Sequence, residues 1–422
     1  MKFTHHTLPN GLRVILAPDR QSMASTVFVL VEAGSNYETK DKNGISHFLE
    51  HMCFKGTEKR PRAIDISSEL DGMGAQYNAF TSNEYTGYYA KVQPRFFGRS
   101  LEIVADMYLN PTFDPKEIEK EKGVIVEEIN MYEDLPQRRV QELMAESLYG
   151  DQPAGWGIAG VEPVVRAIMR DDFVAYRTKH YHAGATIVVC AGNFDEKEAL
   201  AGIEKEFAGM LTGVGVSRSV VREEQKAPVV LMKEKKSDQA HVVVGVRAGG
   251  EDHPDYYAYG VLSSVLGGGM SSRLFQKVRE ELGAAYYVRA SHDAFSNYGS
   301  VQASAGADVD RVQIVIESIL GEFRRLKQER VPESELNRVK DMLVGNFFLS
   351  LETSDDVARY LGDRELVRRQ IDLPEVVEQK IRAVTAEDIL RVAGEIFVPE
   401  RLNLAMISPH TDTASFAALL RV

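Results

Sequence analysis

Cysteine and tryptophan are nearly missing: the chain has Cys53, Cys190 and a single tryptophan. Two thiols cannot build a disulfide framework, so an apolar core has to hold the fold, and a reducing cytoplasmic setting is expected. Long apolar runs are missing too. Residues 26–31 and 186–191 are apolar stretches of strand length, far short of the roughly 20 residues of a bilayer span, so no membrane partner is expected. The first residues show no basic-then-apolar leader, and Leu8-Pro9-Asn10-Gly11-Leu12 reads as a turn followed by a strand. A basic excess is also lacking. The formal charge is −12, which argues against nucleic acid as a partner, because phosphate binding needs a net basic face. This acidity reads first as solubility and second as an attraction for basic peptides.

What is present describes a globular protein. Hydrophobic residues make up 44% and charged residues 27% of 422 positions, and that length exceeds one ordinary core. The chain is also written twice. Residues 27–34 (Val-Phe-Val-Leu-Val-Glu-Ala-Gly) match 242–249 (Val-Val-Val-Gly-Val-Arg-Ala-Gly), residues 113–118 resemble 331–336, and residues 172–191 parallel 388–407. A nearly constant offset over three separated blocks implies two domains of one fold. Residues 100–109 and 311–326 repeat apolar positions at helical spacing. The expected class is therefore α+β: two homologous domains, each a mostly antiparallel sheet backed by helices on one side. The expected boundaries are 1–212 and 228–422, joined by a linker at 213–227 that lacks clear periodicity.

The two copies differ where chemistry would sit. His47-Phe48-Leu49-Glu50-His51 opens a helix after Asn43-Gly44-Ile45-Ser46, and Ser263, Leu266 and Gly267 stand opposite His47, Glu50 and His51 in the second copy. Residues four apart share a helix face one turn apart, so two imidazoles can converge on one Zn²⁺. Glu50 lies beside them and is suited to general-base work on a metal-activated water. A catalytic zinc wants a third protein ligand. The segment 117–132 is helical and rich in carboxylates, with Glu121 and Glu128 seven apart on one face. Glu128 borders the apolar stripe of Ile125 and Tyr132, whereas Glu127 neighbours Gly123 and Lys120, so Glu128 is the expected ligand. Glu117, Glu119 and Glu127 read as a solvated face.

With these residues in view, the sequence resembles the pitrilysin family of inverted-motif zinc peptidases, which includes insulin-degrading enzyme and the mitochondrial processing peptidase. The resemblance rests on His-x-x-Glu-His followed by a glutamate 77 residues after the second histidine, here Glu128, with Glu121 seven before it. It extends over essentially the whole chain, through Leu8–Leu12, Phe54-Lys-Gly-Thr57, Asn78-Ala-Phe-Thr-Ser82 and the stretch 266–286. It implies that His47, His51 and Glu128 bind zinc, that Glu50 is the base and that Glu121 supports the site from behind. It further implies that Arg279 and Tyr286 hold the substrate backbone and stabilise the tetrahedral intermediate. Ala284 departs from the leucine usual there and leaves both groups in place. On the residues alone, Tyr286 reads as a half-buried strand position.

Residues 75–79 and 85–92 alternate in polarity around residues 81–84 and read as a hairpin. The resemblance implies that the strand with Asn78 and Ala79 is an edge that pairs with an extended peptide; on its own Asn78 reads as a turn-adjacent strand residue. The resemblance also implies a homodimer in which two chains close around a chamber, with zinc from one chain and the Arg/Tyr pair from the other. The expected function is thus a zinc endopeptidase acting on unfolded peptides or presequence-like segments. The alternatives are a non-catalytic core subunit of this fold and the catalytic half of a heterodimer. His180 and His182 lack a cysteine or carboxylate to complete a ligand set and read as structural or exposed. Cys53 reads as a small core hydrophobe, and Gly267-Gly268-Gly269 as a turn rather than a phosphate loop.

Overall fold

The computed structural model describes residues 1–213 and 215–422; residue 214, inside the expected linker, lies outside the described residues. The chain forms two compact units. The first comprises residues 1–130, 156–220 and 349–371, and the second residues 131–155, 221–348 and 372–422.

The first unit is built on six strands: β1 (Thr4–Thr7), β2 (Arg13–Pro18), β3 (Ser25–Val31), β4 (Gln76–Thr81), β5 (Thr86–Val92) and β6 (Thr186–Gly192). Their order is β1-β2-β6-β3-β5-β4, antiparallel except for the β2–β6 pair. The hairpin read from the sequence is β4–β5, and β4 ends the sheet. Strand β3 explains the unbroken apolar run at 26–31. Val27, Val29 and Val31 enter the main core with Phe48, Leu49 and Tyr108, while Phe28 and Leu30 point to the other face. There they meet Ala358, Leu361 and Leu366 of the helix Ser354–Arg368. A strand buried on both faces has no reason to alternate in polarity.

The second unit repeats this plan. Its strands β7 (Val229–Glu234), β8 (Gln239–Ala248), β9 (Ala285–Ala294), β10 (Gly299–Asp308) and β11 (Asn403–Ser408) run in the order β7-β11-β8-β10-β9. That order is the counterpart of β2-β6-β3-β5-β4. Val242, Val244 and Val246 fill one core. On the other face, Val243, Ala405 and Ile407 pack with Val140, Leu143 and Met144 of the helix Pro136–Tyr149. The repeat reaches the level of single hydrogen bonds: Asp172 accepts from the Met169 N–H at 2.8 Å, and Asp388 accepts from the Thr385 N–H at 2.9 Å. Each carboxylate caps the helix that leads into β6 or β11.

The α+β class stands, with two corrections in detail. The compact units are not the contiguous stretches 1–212 and 228–422 on either side of 213–227. The helix Pro136–Tyr149 belongs to the second unit and its repeat-equivalent Ser354–Arg368 to the first. Nor do helices cover only one side of each sheet, because these two helices cover the other face. The physical reason is the same for both: each sheet has apolar side chains on two faces, and its own repeat supplies helices for only one. Among the described residues, no helix is long and apolar enough to cross a membrane.

Candidate metal centre

The helix Ile45–Met52 buries Ile45, Phe48, Leu49 and Met52 and turns His47 and His51 to one side. Its start is tightly specified. Gly44 has φ +98°, and a Cβ there would lie 2.6 Å from the carbonyl oxygen of Ala159, so both conformation and space require glycine. The helix N-terminus is satisfied by the buried Glu38, whose carboxylate accepts from the N–H groups of Gly44 and Ser46, each at 2.8 Å, and from Asn43 Nδ2 at 2.9 Å. Burial pushes the Glu38 carboxyl up to about 7 against these bonds, which favour its ionised form.

The helix Pro115–Asp134 brings the carboxylates. Glu128 Oε2 lies 3.6 Å from His47 Nε2 and 3.7 Å from His51 Nε2. One ligand atom from each of His47, His51 and Glu128 falls within 4.8 Å of the others. Donors around a tetrahedral zinc at about 2.0–2.1 Å are separated by roughly 3.3 Å, so this donor set fits the ion with small adjustment. Glu121 binds His51 Nδ1 at 2.9 Å, which leaves Nε2 as the nitrogen turned towards Glu128. The other oxygen of Glu121 pairs with Lys55 Nζ at 2.5 Å. Burial raises the Glu121 pKa, but the His51 and Lys55 bonds outweigh it and hold the carboxyl below its ordinary value. Burial likewise opposes charge on His51, yet the Glu121 bond and the neighbouring carboxylates leave its pKa raised.

Glu50 is buried beside the two histidines. Thr81 Oγ1 donates to its Oε2 at 2.7 Å, and burial keeps the carboxyl above its usual range in spite of that bond. Thr81, Lys55 and Glu38 are contributors that sequence reasoning did not single out. For Thr81 a signal existed: it ends a strand whose alternation puts it on the face of Ala79. Of the other acids on the long helix, Glu117 pairs with Lys120, Glu119 pairs with Lys122, and Glu127 is exposed.

The second copy shows what replaces such a site. Ser263, Leu266 and Gly267 lie on the helix Tyr256–Gly267, and a Cβ on Gly267 would stand 2.3 Å from the backbone nitrogen of Ala290 in β9. Strand β9 closes onto the helix at the position equivalent to His51, so no imidazole has room there.

The remaining expected residues are distributed as follows. On β4, Asn78 is exposed and Ala79 buried, and Asn78 Oδ1 accepts from the Ala79 N–H at 2.9 Å. Arg279 and Tyr286 belong to the second unit. Arg279 sits on the π-wound turn Phe275–Glu281 over the Phe275 ring, and Tyr286 on β9. Tyr286 is 59% exposed rather than half-buried, because edge strand β9 turns it to solvent, and its hydroxyl donates to Asp308 Oδ1 at 3.1 Å. His180 is buried, His182 lies beside the backbone oxygen of Lys179, and among the described residues neither joins a metal-holding cluster. Cys53 is buried against Tyr88 and its thiol pKa is raised by burial, which suits a core hydrophobe.

Comparison with known proteins converges on one family. The family profile described as Insulinase (Peptidase family M16) matches residues 13–161, and that of the Peptidase M16 inactive domain matches residues 167–343. The uncharacterized zinc protease YmxG of Bacillus subtilis is 35% identical over 97% of this chain and 99% of its own length. An uncharacterized zinc protease of Streptomyces coelicolor is 33% identical over 96% of this chain and 89% of its own. Among solved structures, a protease from Helicobacter pylori superposes with a TM-score of 0.90 at 23% identity, over 97% of this chain and 99% of that one. A chain of complex III2 from Candida albicans does so with 0.86 at 18%, over 99% and 100%. At these identities the two structures report on the fold.

Proposed function

Because the chain belongs to peptidase family M16, the insulinase family, we propose that it is an endopeptidase that cleaves unfolded peptides or presequence-like segments within a chamber formed by two copies. Zinc is its cofactor: the relatives are named zinc proteases, and two imidazoles and a carboxylate with ligand atoms within 4.8 Å suit that ion. That cluster is the observation on which the reading rests. His47, His51 and Glu128 are the residues that would hold zinc, with Glu121 orienting His51. When bound, zinc supplies Lewis-acid chemistry, making a water more acidic and polarising a carbonyl.

The rest of the reaction falls to side chains of the protein. Glu50, anchored through Oε2 by Thr81, takes a proton from the attacking water at Oε1 and returns it to the leaving amine. The open edge of β4 receives the substrate as an added strand, in which Asn78 Oδ1 gives up the Ala79 N–H to a substrate carbonyl. Backbone pairing of this kind accepts many sequences but demands an extended segment, so folded proteins are spared. Arg279 and Tyr286, contributed by the other copy, hold the substrate backbone and donate to the anion that forms at the scissile carbonyl.

The experiment is hydrolysis of a diverse peptide pool followed by mass spectrometry, with metal content measured in the same preparation. The wild-type chain should carry zinc and release products that disappear with Glu50→Gln or on chelation. Identical products from wild type and Glu50→Gln would overturn the assignment of the base, and a chain indifferent to zinc would overturn the reading as a whole.

A further inference from the structure

The metal helix is tied to the substrate-bearing hairpin at two points, and the ties form a closed ring. The first tie is direct: Thr81, the last residue of β4, holds Glu50 at 2.7 Å. The second runs through the turn Ser35–Tyr37. Just beyond Thr81, the carbonyls of Ser82 and Asn83 accept from the N–H groups of Ser35 at 3.2 Å and Asn36 at 2.8 Å. Asn83 Nδ2 also donates to Ser35 Oγ at 3.1 Å. The approach at Gly34 is so close that a Cβ would meet the Ser82 oxygen at 2.4 Å. From this turn the chain passes directly to Glu38, which grips the start of the helix through Asn43, Gly44 and Ser46.

We propose that Glu38 is a positioning residue that fixes the zinc-binding helix in register with the β4–β5 hairpin, so that His47, His51 and Glu50 keep one geometry relative to a peptide paired on β4. The proposal rests on the peptidase reading above. Its chemistry is specific to a carboxylate. Oε1 accepts from Ser46 N, while Oε2 accepts from both Gly44 N and Asn43 Nδ2. Three donors converge on two acceptor oxygens, which face the positive end of an eight-residue helix. A glutamine of the same length would turn an NH₂ group onto one of those N–H donors. The helix would then keep its apolar packing through Phe48 and Leu49 but lose the grip that sets its rotation and depth.

The test compares Glu38→Gln and Glu38→Ala with Ile203→Ala, which removes buried packing from the same core on the separate helix Glu196–Glu206. Zinc affinity is read on metal-free protein by competition with a chromophoric chelator, and kcat and KM are read on the peptides found above at saturating zinc. Loss of residues that orient metal ligands typically costs 10–100-fold in metal affinity, and a loss of about that size is expected for both Glu38 variants. Their kcat should fall at least about tenfold with KM within about twofold, since the β4 edge itself is intact. Ile203→Ala should lower the melting temperature and leave zinc affinity near that of wild type. Glu38→Gln binding zinc as tightly as wild type, or Ile203→Ala losing as much affinity as Glu38→Gln, would reduce Glu38 to an ordinary helix cap. Should Glu38→Gln fail to fold, Glu38→Asp, which keeps the carboxyl group on a shorter arm, takes its place: weakened zinc binding is expected and undiminished binding overturns the proposal. A wild-type chain that binds no zinc removes the peptidase reading and this proposal with it, whereas wild-type zinc binding that Glu38→Gln leaves unchanged removes this proposal alone.

Discussion

Residue His180 is 1% exposed, stands edge-on to the Tyr37 ring and lies against Tyr176, and among the described residues neither ring nitrogen has a hydrogen-bond partner. Burial pulls its pKa down to about 4. The imidazole is neutral in the fold, whereas the unfolded chain takes up a proton near 6.5. Its contribution is therefore full above about pH 6.5 and drains away as pH falls towards 4, by an amount on the order of 3 kcal/mol. His180→Phe keeps a ring in the slot and should flatten the decline in melting temperature between those pH values. A decline as steep as that of wild type would place the acid sensitivity elsewhere. The same scale shows what a sequence reveals about a site. His47 and His51 were legible because helical periodicity puts them on one face with Glu50 beside them, and Glu128 because it shares a face with Glu121; that the two helices meet was implied by the family resemblance. The partners of Thr81 and Glu38 were not legible. Alternation gives the face of Thr81 but not its bond to Glu50, and the three bonds that Glu38 accepts from Asn43, Gly44 and Ser46 depend on how a turn packs against the helix start, which no local pattern encodes.

At the scale of elements, the contrast between the helices Ile45–Met52 and Tyr256–Gly267 shows how one framework is kept with and without a metal site. In the first, polar side chains stand between helix and carboxylates. In the second, β9 comes so near that Gly267 touches its backbone. Gly267→Ala should accordingly destabilise the protein by about 1–3 kcal/mol, the usual penalty of overpacking, despite alanine's better helix propensity. Denaturant titration would register it as a lower midpoint; an unchanged or higher midpoint would mean that β9 yields. The hairpin β4–β5 was readable from its period-two alternation, the apolar runs of β3 and β6 from their length, and β8 from its match to β3 in the repeat. The destination of the helices Pro136–Tyr149 and Ser354–Arg368 was not readable. An amphipathic helix displays an apolar stripe without naming the sheet that will bury it.

For the whole molecule, the repeat announced two units of one plan, and the strand order of the second is that of the first with β1 left out. What the repeat does not announce is how many chains complete a site. If the metal cluster of one copy works with Arg279 and Tyr286 of another, then Glu50→Gln and Tyr286→Phe, each inactive or nearly so alone, should recover peptidase activity when mixed under conditions of subunit exchange. One hybrid site in such a mixture retains both Glu50 and Tyr286, so a fraction of wild-type activity is expected. Demonstrated exchange without recovery would exclude sites shared between chains.

The reciprocal loan of two helices also constrains how the chain comes to be folded during synthesis. All six strands of the first sheet have left the ribosome once residue 192 has emerged, yet Ile15, Phe28, Leu30 and Val189 remain wetted until Ala358 and Leu361 follow. Well over a hundred further residues have to be translated in that interval. The leading sheet must wait, half-clothed and prone to sticking, for its cover to arrive from the far end of the message.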